Sequence, residues 1–179
     1  MRDLLNRASY ILRHEGAGRV IALAFSWLGY SLFACGKAYV LEHTTIERNA
    51  AEFLPKIKDF EEHVVHNRKE AEDLRARGRD MLSYSYMVRE RLDDGGFAVC
   101  IFAGGKLAHI GWAGAVPGSK AACDSMPYFV DFANRQGCTG GTVTIPEFEG
   151  NGFMKYGYYR RLELLRQMGM RTLPRPASM

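Results

Sequence analysis

The stretch from Val143 to Gly169 constrains this chain more than any other. Val143, Thr144 and Ile145 are β-branched, which suits a strand. Pro146 has no N–H to give to a ladder, so it ends that strand. Gly150 and Gly152 let the backbone turn tightly and come close to a ligand. From Phe153 the period changes. Met154, Tyr158, Leu162, Leu165 and Met168 recur at helical spacing, and Arg160, Arg161, Glu163 and Arg166 lie off that stripe. Gly169 supplies a stop. The reading is strand, glycine turn, helix. The first turn of such a helix carries unpaired N–H groups and a partial positive charge, which favour an anion, typically a phosphate.

Val143, Pro146, Glu147, Phe148, Gly150, Gly152 and the ending Leu164-Leu165-Arg166-Gln167-Met168-Gly169 together resemble the acyl-CoA-binding motif of the GNAT acyltransferase superfamily. Two positions depart from that pattern. Glu149 stands where the family usually has Arg or Gln, and Met154 where it usually has Gly or Ala. A carboxylate beside a pyrophosphate is unfavourable unless it points away. A Met side chain crowds the phosphates but leaves its backbone N–H available. The resemblance implies an α/β fold with a mixed, largely antiparallel sheet flanked by helices. It also implies transfer of an acyl group, usually acetyl, from acyl-CoA to an amine. Its cofactor contacts would come from Val143, Thr144 and Ile145 along the pantetheine arm. The turn Glu149, Gly150, Asn151, Gly152, Phe153 and Met154 would face the pyrophosphate. The resemblance names no catalytic residue. Glu147 is a candidate base by position alone, and a turn carboxylate is usually just solvated.

The 179 residues suit one domain plus an extension. A chain 47% hydrophobic and 25% charged can bury a core and is not disordered. A net charge of +4 suits an anionic cofactor or membrane surface without requiring nucleic acid, and no zinc-finger spacing or aromatic-interleaved basic run is present. Cys35, Cys100, Cys123 and Cys138 form no Cys-x-x-Cys pair, so the expected state is free buried thiols in a reducing cytosol.

Residues 1–36 read as a basic and apolar helical extension. Arg2, Arg7, Arg13 and Arg19 alternate with apolar residues at amphipathic spacing, with Gly16 and Gly18 as expected interruptions. Val20 to Gly36 then carries no charge. A membrane span, a signal peptide, and a helix lying on a membrane or packed on the domain all compete for this run. Its length sits at the lower edge for spanning. A span oriented by the preceding arginines would also put the rest of the chain outside, away from cytosolic acyl-CoA. The peripheral or packed helix is preferred, so the expected location is the cytoplasm, at the inner face of the membrane where the helix is peripheral.

Residues 37–179 read as the GNAT-like domain. Ala38 to Leu41 suits its first strand. Phe53, Leu54, Ile57, Phe60, Val64 and Val65 fit helical spacing over 52–66, and a solvated charged helix follows over 68–79. His63 and His66 lie three apart without an evident third ligand, so no metal is expected. Tyr84, Tyr86 and Met87 suggest a helix end or a substrate wall. Asp93-Asp94-Gly95-Gly96 is a turn, and the runs 97–102 and 107–113 form a hairpin about Gly104-Gly105. His109 could act as a base, but on a strand beside Ile110 it reads first as structural. A short helix over 124–136 would bury Met126, Phe129, Val130 and Phe132.

After Gly169 a GNAT domain normally adds a strand, a helix and further strands. Here only ten residues follow. Met170 to Leu173 suits one short strand, which Pro174 and Pro176 would stop. The expectation is a domain incomplete at its C-terminus, with a half-built cofactor slot and a tendency to self-associate. The expected partners are a small-molecule amine and acetyl-CoA or another acyl-CoA, with peripheral membrane contact through residues 1–36 and no nucleic acid.

Overall fold

The fold was taken from a computed structural model that describes residues 39–44, 48–84, 87–124 and 128–177, together with 17, 18 and 21. The chain divides into two compact units, Met1–Ala38 and Tyr39–Met179. In the first, Ala17, Gly18 and Ile21 are helical, and the rest of the expected helix over 1–19, Gly16 included, lies outside the described residues. The apolar run 20–36 and Cys35 otherwise lie outside the described residues, as do Tyr86 and Met126. Among the described residues no helix is long and apolar enough to cross a membrane.

The second unit runs β1 (Tyr39–Thr44), β2 (Phe60–Val65), α1 (Arg68–Ala76), α2 (Val88–Asp93), β3 (Phe97–Ala103), β4 (Lys106–Gly114), α3 (Lys120–Cys123), β5 (Cys138–Thr144), α4 (Phe153–Gln167) and β6 (Thr172–Ala177). Strands β2-β3-β4-β5 make one four-stranded sheet, and β1-β6 make a separate pair. The class is the expected one, α/β with an antiparallel sheet flanked by helices. Every pairing among the described residues is antiparallel. The hairpin is as read: Gly104 and Gly105 both take positive φ, 56° and 79°, as a tight two-residue turn demands.

The sheet is covered on both faces. Ala98, Cys100, Phe102, Ile110 and Trp112 turn to one side, where Ala71, Leu74, Val88 and Leu92 of α1 and α2 close the core. Phe97, Val99 and Ala113 pack with Leu165 of α4 on the other side. Ile101, Ala103 and Ala108 meet Phe153 at the start of that helix. β3 is buried along its whole length, as a central strand covered twice must be.

Four expectations are corrected. Residues 52–66 are not a helix: a 3-10 turn at Ala50–Phe53 leads past Pro55 into strand β2. Pro55 interrupts helical hydrogen bonding. The sidedness within β2 has a period of two: Phe60 and Val64 pack against the α4 face, and Glu62 reaches Tyr156 and Arg160 there. Between them, Glu61 pairs with Arg79 and His63 lies edge-on to Phe102. Next, β1 does not join the main sheet but pairs with β6. That ladder includes Val40 opposite Pro176 and Glu42 opposite Pro174, so the prolines do not stop the strand. Spaced two apart, they lose their N–H groups on the same edge and leave the other edge able to pair. Finally, no helix covers 128–136. Asp131 caps a single 3-10 turn at Phe132–Asn134, and Phe129 is 82% exposed rather than core.

Candidate functional site

β5 ends the hydrogen-bonded ladder of the four-stranded sheet, with β6 beside it but not paired to it, and it delivers the chain into the glycine turn. Ile145 donates its N–H to the Ala108 carbonyl at 3.0 Å, so that amide faces β4. Alternation along a strand then turns the N–H and C=O of Thr144 to the open edge, while those of Val143 face β4. Of the three strand residues proposed to meet the cofactor, Thr144 is therefore the one whose backbone pair faces away from β4. The Val143 side chain is exposed on the surface beside it.

The turn is built without a capping side chain. Pro146–Phe148 form one 3-10 turn, closed by Phe148 N–H donating to the Ile145 carbonyl at 2.8 Å. Gly150 and Gly152 follow with φ of 73° and 87°, a region that suits glycine. Between them Asn151 braces the loop: its side-chain amide donates to the carbonyls of Phe148 at 3.1 Å and Glu149 at 3.2 Å. Its own carbonyl accepts from the Lys56 N–H at 2.9 Å. Gly152 is the N-cap of α4 and has no side chain with which to cap it. The first helical bond runs from Tyr156 N–H to the Gly152 carbonyl, 3.0 Å. The N–H groups of Phe153, Met154 and Lys155 thus head the helix without an intrahelical acceptor.

Side chains set the direction of that helix start. Phe153 is buried and meets Phe60 and Phe148 edge-on at 5.9 and 6.2 Å. Tyr156 donates to Glu62 at 2.8 Å, and Arg160 Nε lies 2.8 and 3.0 Å from the two oxygens of the same carboxylate. Phe53 stacks on Tyr159 with centroids 4.6 Å apart. Glu149 and Met154 are both exposed at the turn, Met154 by 55%.

Beneath α4 lies a polar pair that the helical stripe did not show. Arg161, which lies off the apolar stripe, is 1% exposed. Its Nη1 donates to the Trp112 and Gly140 carbonyls at 3.3 Å each and to Thr142 Oγ1 at 2.7 Å, and its Nε donates to the Gly157 carbonyl at 3.1 Å. Those acceptors surround an irregularity in the ladder: Ile110 pairs with Val143 but Trp112 with Gly140, so β5 carries one extra residue, and Gly141 takes φ 53°. The guanidinium holds the bulge closed from the helix side.

His109 is fully buried beside it, with Nδ1 2.9 Å from Thr144 Oγ1 and no partner for Nε2. Burial, and then the Arg161 charge, push its pKa down to about 3. A neutral ring sealed between sheet and helix is structural, in line with the first reading of the sequence. Glu147 is exposed and ion-paired to Lys106 at 3.1 Å, a surface pair of small energetic weight. His63 and His66 join no metal cluster among the described residues.

No protein-family model and no curated protein matches the sequence. Among solved structures, a GCN5-related N-acetyltransferase-like protein from Streptococcus suis is similar, with a TM-score of 0.43 and 13% sequence identity. The match covers 87% of this chain and 58% of that one, so the chain spans less than two thirds of that structure's length. Likeness of this degree leaves activity to be argued from the residues.

Proposed function

We propose that this chain is an acyl-CoA-dependent N-acyltransferase of the GNAT type that transfers an acyl group, most simply acetyl, to a small-molecule amine. One observation carries the reading: an open-edged strand runs through a two-glycine turn into an uncapped helix, with a sequence that resembles the family's cofactor motif. The amides of Phe153, Met154 and Lys155 suit a pyrophosphate, because they point along the helix axis with its partial positive charge. The open edge at Thr144 suits an amide-bearing arm, which would add to the sheet as a strand does. Held in this way, a thioester and an amine react mainly through proximity. The transfer breaks the carbon–sulfur bond of the thioester and forms a carbon–nitrogen bond, while the amine gives up a proton. Neither buried His109 nor ion-paired Glu147 is assigned as the base.

The test is titration with CoA, acetyl-CoA and a longer acyl-CoA. A ligand that binds only the folded state raises the melting temperature by mass action. CoA should do so and should shift the backbone NMR signals of residues 150–155. Gly152→Val should abolish both effects, because a β-branched residue is strained at φ 87°. If millimolar CoA moves neither, the cofactor assignment is wrong. A second reading is favoured by the exposed Glu149 carboxylate at the turn: a GNAT-like module that binds without turnover. CoA binding without thiol release over an amine panel would select it.

We further propose that residues 1–36 place the protein at the inner face of the membrane, on the strength of four arginines beside an apolar run. Flotation with anionic but not neutral liposomes is expected, and equal recovery with both would refute it. We also propose self-association, because β5 ends its hydrogen-bonded ladder without a paired neighbour beyond it, β6 lying beside it unpaired. Light scattering across a concentration series reads that directly.

A further inference from the structure

β6 meets two neighbours in two different ways. With β1 it forms an antiparallel ladder along its whole length, from Tyr39 opposite Ala177 to Thr44 opposite Thr172. Beside β5 it lies close, yet the two strands make no ladder. The gap between them follows the side of β5 to which Thr144 turns its backbone pair.

The sequence of β6 accounts for the difference. The strand reads Thr172-Leu173-Pro174-Arg175-Pro176-Ala177. In an antiparallel ladder each residue turns its N–H and C=O to one edge, and its neighbours turn theirs to the other. Pro174 and Pro176 have no N–H. The ladder with β1 therefore takes its β6 donors from Leu173, Arg175 and Ala177, which stand opposite His43, Leu41 and Tyr39. The even-numbered residues turn to the other edge. There Thr172 brings an N–H, but Pro174 and Pro176 offer a carbonyl alone. Proline on a strand edge works against pairing with a further strand.

We infer that Pro174 and Pro176 are positioning residues for the cofactor slot: they keep β6 from zipping onto β5, so that the Thr144 edge stays open for the pantetheine arm. The inference rests on the reading of that edge as the seat of the arm. A bulge at Gly141 also bends β5. The bulge leaves Thr144 with both its N–H and its C=O, so β5 would still accept a partner strand that brought donors. Zipped directly, β5 and β6 could share only the bonds that run from β5 N–H groups to β6 carbonyls, half of a ladder. An amide-bearing arm between them loses nothing. It accepts from the Thr144 N–H and gives its own N–H groups to carbonyls on either wall.

The experiment is backbone hydrogen exchange on the full chain, read by NMR without ligand, followed by titration with CoA. In the wild type the β1 ladder should protect the amides of Leu173 and Arg175, while that of Thr144 exchanges freely. Pro174→Val combined with Pro176→Val supplies the missing donors. In that variant exchange at Thr144 should slow by roughly tenfold or more, with Leu173 and Arg175 still protected. CoA should bind about tenfold more weakly or worse, because the strands now occupy each other. Prolines that served only the stability of β6 would leave Thr144 exchange unmoved. Free exchange at Thr144 in the double variant overturns the inference, because the bulge alone would then hold the strands apart. So does a wild type in which Leu173 and Arg175 exchange as fast as Thr144, because the prolines would then not face the gap. That wild-type reading decides the matter even if the variant fails to fold. A wild type that binds no CoA sinks the cofactor reading instead, and the ligand-free exchange still judges the prolines.

Discussion

Gly157 of α4 lies against the ring of His109 on β4, where a Cβ would stand 2.5 Å from Nε2. The relationship repeats along the helix. Phe153, Gly157, Arg161 and Leu165 are spaced by four and are all buried. Gly157 meets His109, Arg161 meets Gly111, and Leu165 packs with Ala113. Large faces small in each pair, which lets the helix sit close to the strand.

Gly157→Ala tests that fit. In an exposed helix the change would stabilise by roughly 1 kcal/mol. Here the ring is held by Thr144 at 2.9 Å and cannot easily swing away. Overpacking costs about 1–3 kcal/mol, so the expected net effect is destabilising. Urea unfolding reads it, and a stabilised variant would show that His109 moves freely.

Arg161→Met keeps most of the volume and removes the donors. The Trp112 and Gly140 carbonyls and Thr142 Oγ1 then lose their bonds to the guanidinium. Buried polar groups left unsatisfied cost roughly 1–3 kcal/mol each, partly relieved by relaxation, so a loss of about 2–4 kcal/mol is expected. Arg161→Lys should recover only part, because an ammonium lacks the planar fork. A loss of less than about 0.5 kcal/mol on Arg161→Met, within the range of an ordinary surface change, would mean that the bulge closes without the arginine.

His109 should stay neutral in the folded protein until pH falls to about 3. The unfolded chain takes up that proton near pH 6.5. Between these values the unfolded state holds more protons, so stability rises with pH across the window and is lost as acid is added. The contribution is on the order of 5 kcal/mol for a shift of this size. Carboxylates such as Glu163, held down chiefly by its bonds with Arg166, add their own acid dependence. The readout is therefore a difference: His109→Gln should flatten the stability profile between pH 3 and 6.5 relative to the wild type. An imidazole NMR signal for His109 titrating near pH 6.5 in the folded protein would refute the assignment.

The same row explains what the sequence hid. Hydropathy places the α4 stripe on Met154, Tyr158, Leu162, Leu165 and Met168, yet Met154 and Met168 are exposed. The true inner row contains a glycine and an arginine, which no apolar period registers. Only the partners on β4, far off in the chain, make those residues fit. Local signals read well where the backbone itself imposes the residue, as at Gly104-Gly105, at Gly150 and Gly152, and at Pro146. They failed where tertiary pairing decided: β2 carries apolar residues at a spacing that also suits a helix, and the β6 prolines need β1 to form a ladder. The bond from the Lys56 N–H to the Asn151 carbonyl was equally out of reach, because it joins segments about 95 residues apart through backbone groups.

Two residues at the turn depart from the family pattern, and both are exposed enough to change without disturbing the core. Glu149 precedes Gly150, and its carboxylate is accessible. It would repel a pyrophosphate held by the amides of Phe153 to Lys155. Reversing that charge with Glu149→Arg should tighten CoA binding by roughly tenfold, about 1.4 kcal/mol, at low salt. The gain should shrink as ionic strength rises and the Debye length shortens. Met154→Ala removes bulk but no charge, so any gain it gives should be insensitive to salt. Calorimetric titration at two salt concentrations separates the effects. A Glu149→Arg variant whose CoA affinity equals that of the wild type at low salt would place the phosphates elsewhere and sink the turn as their seat.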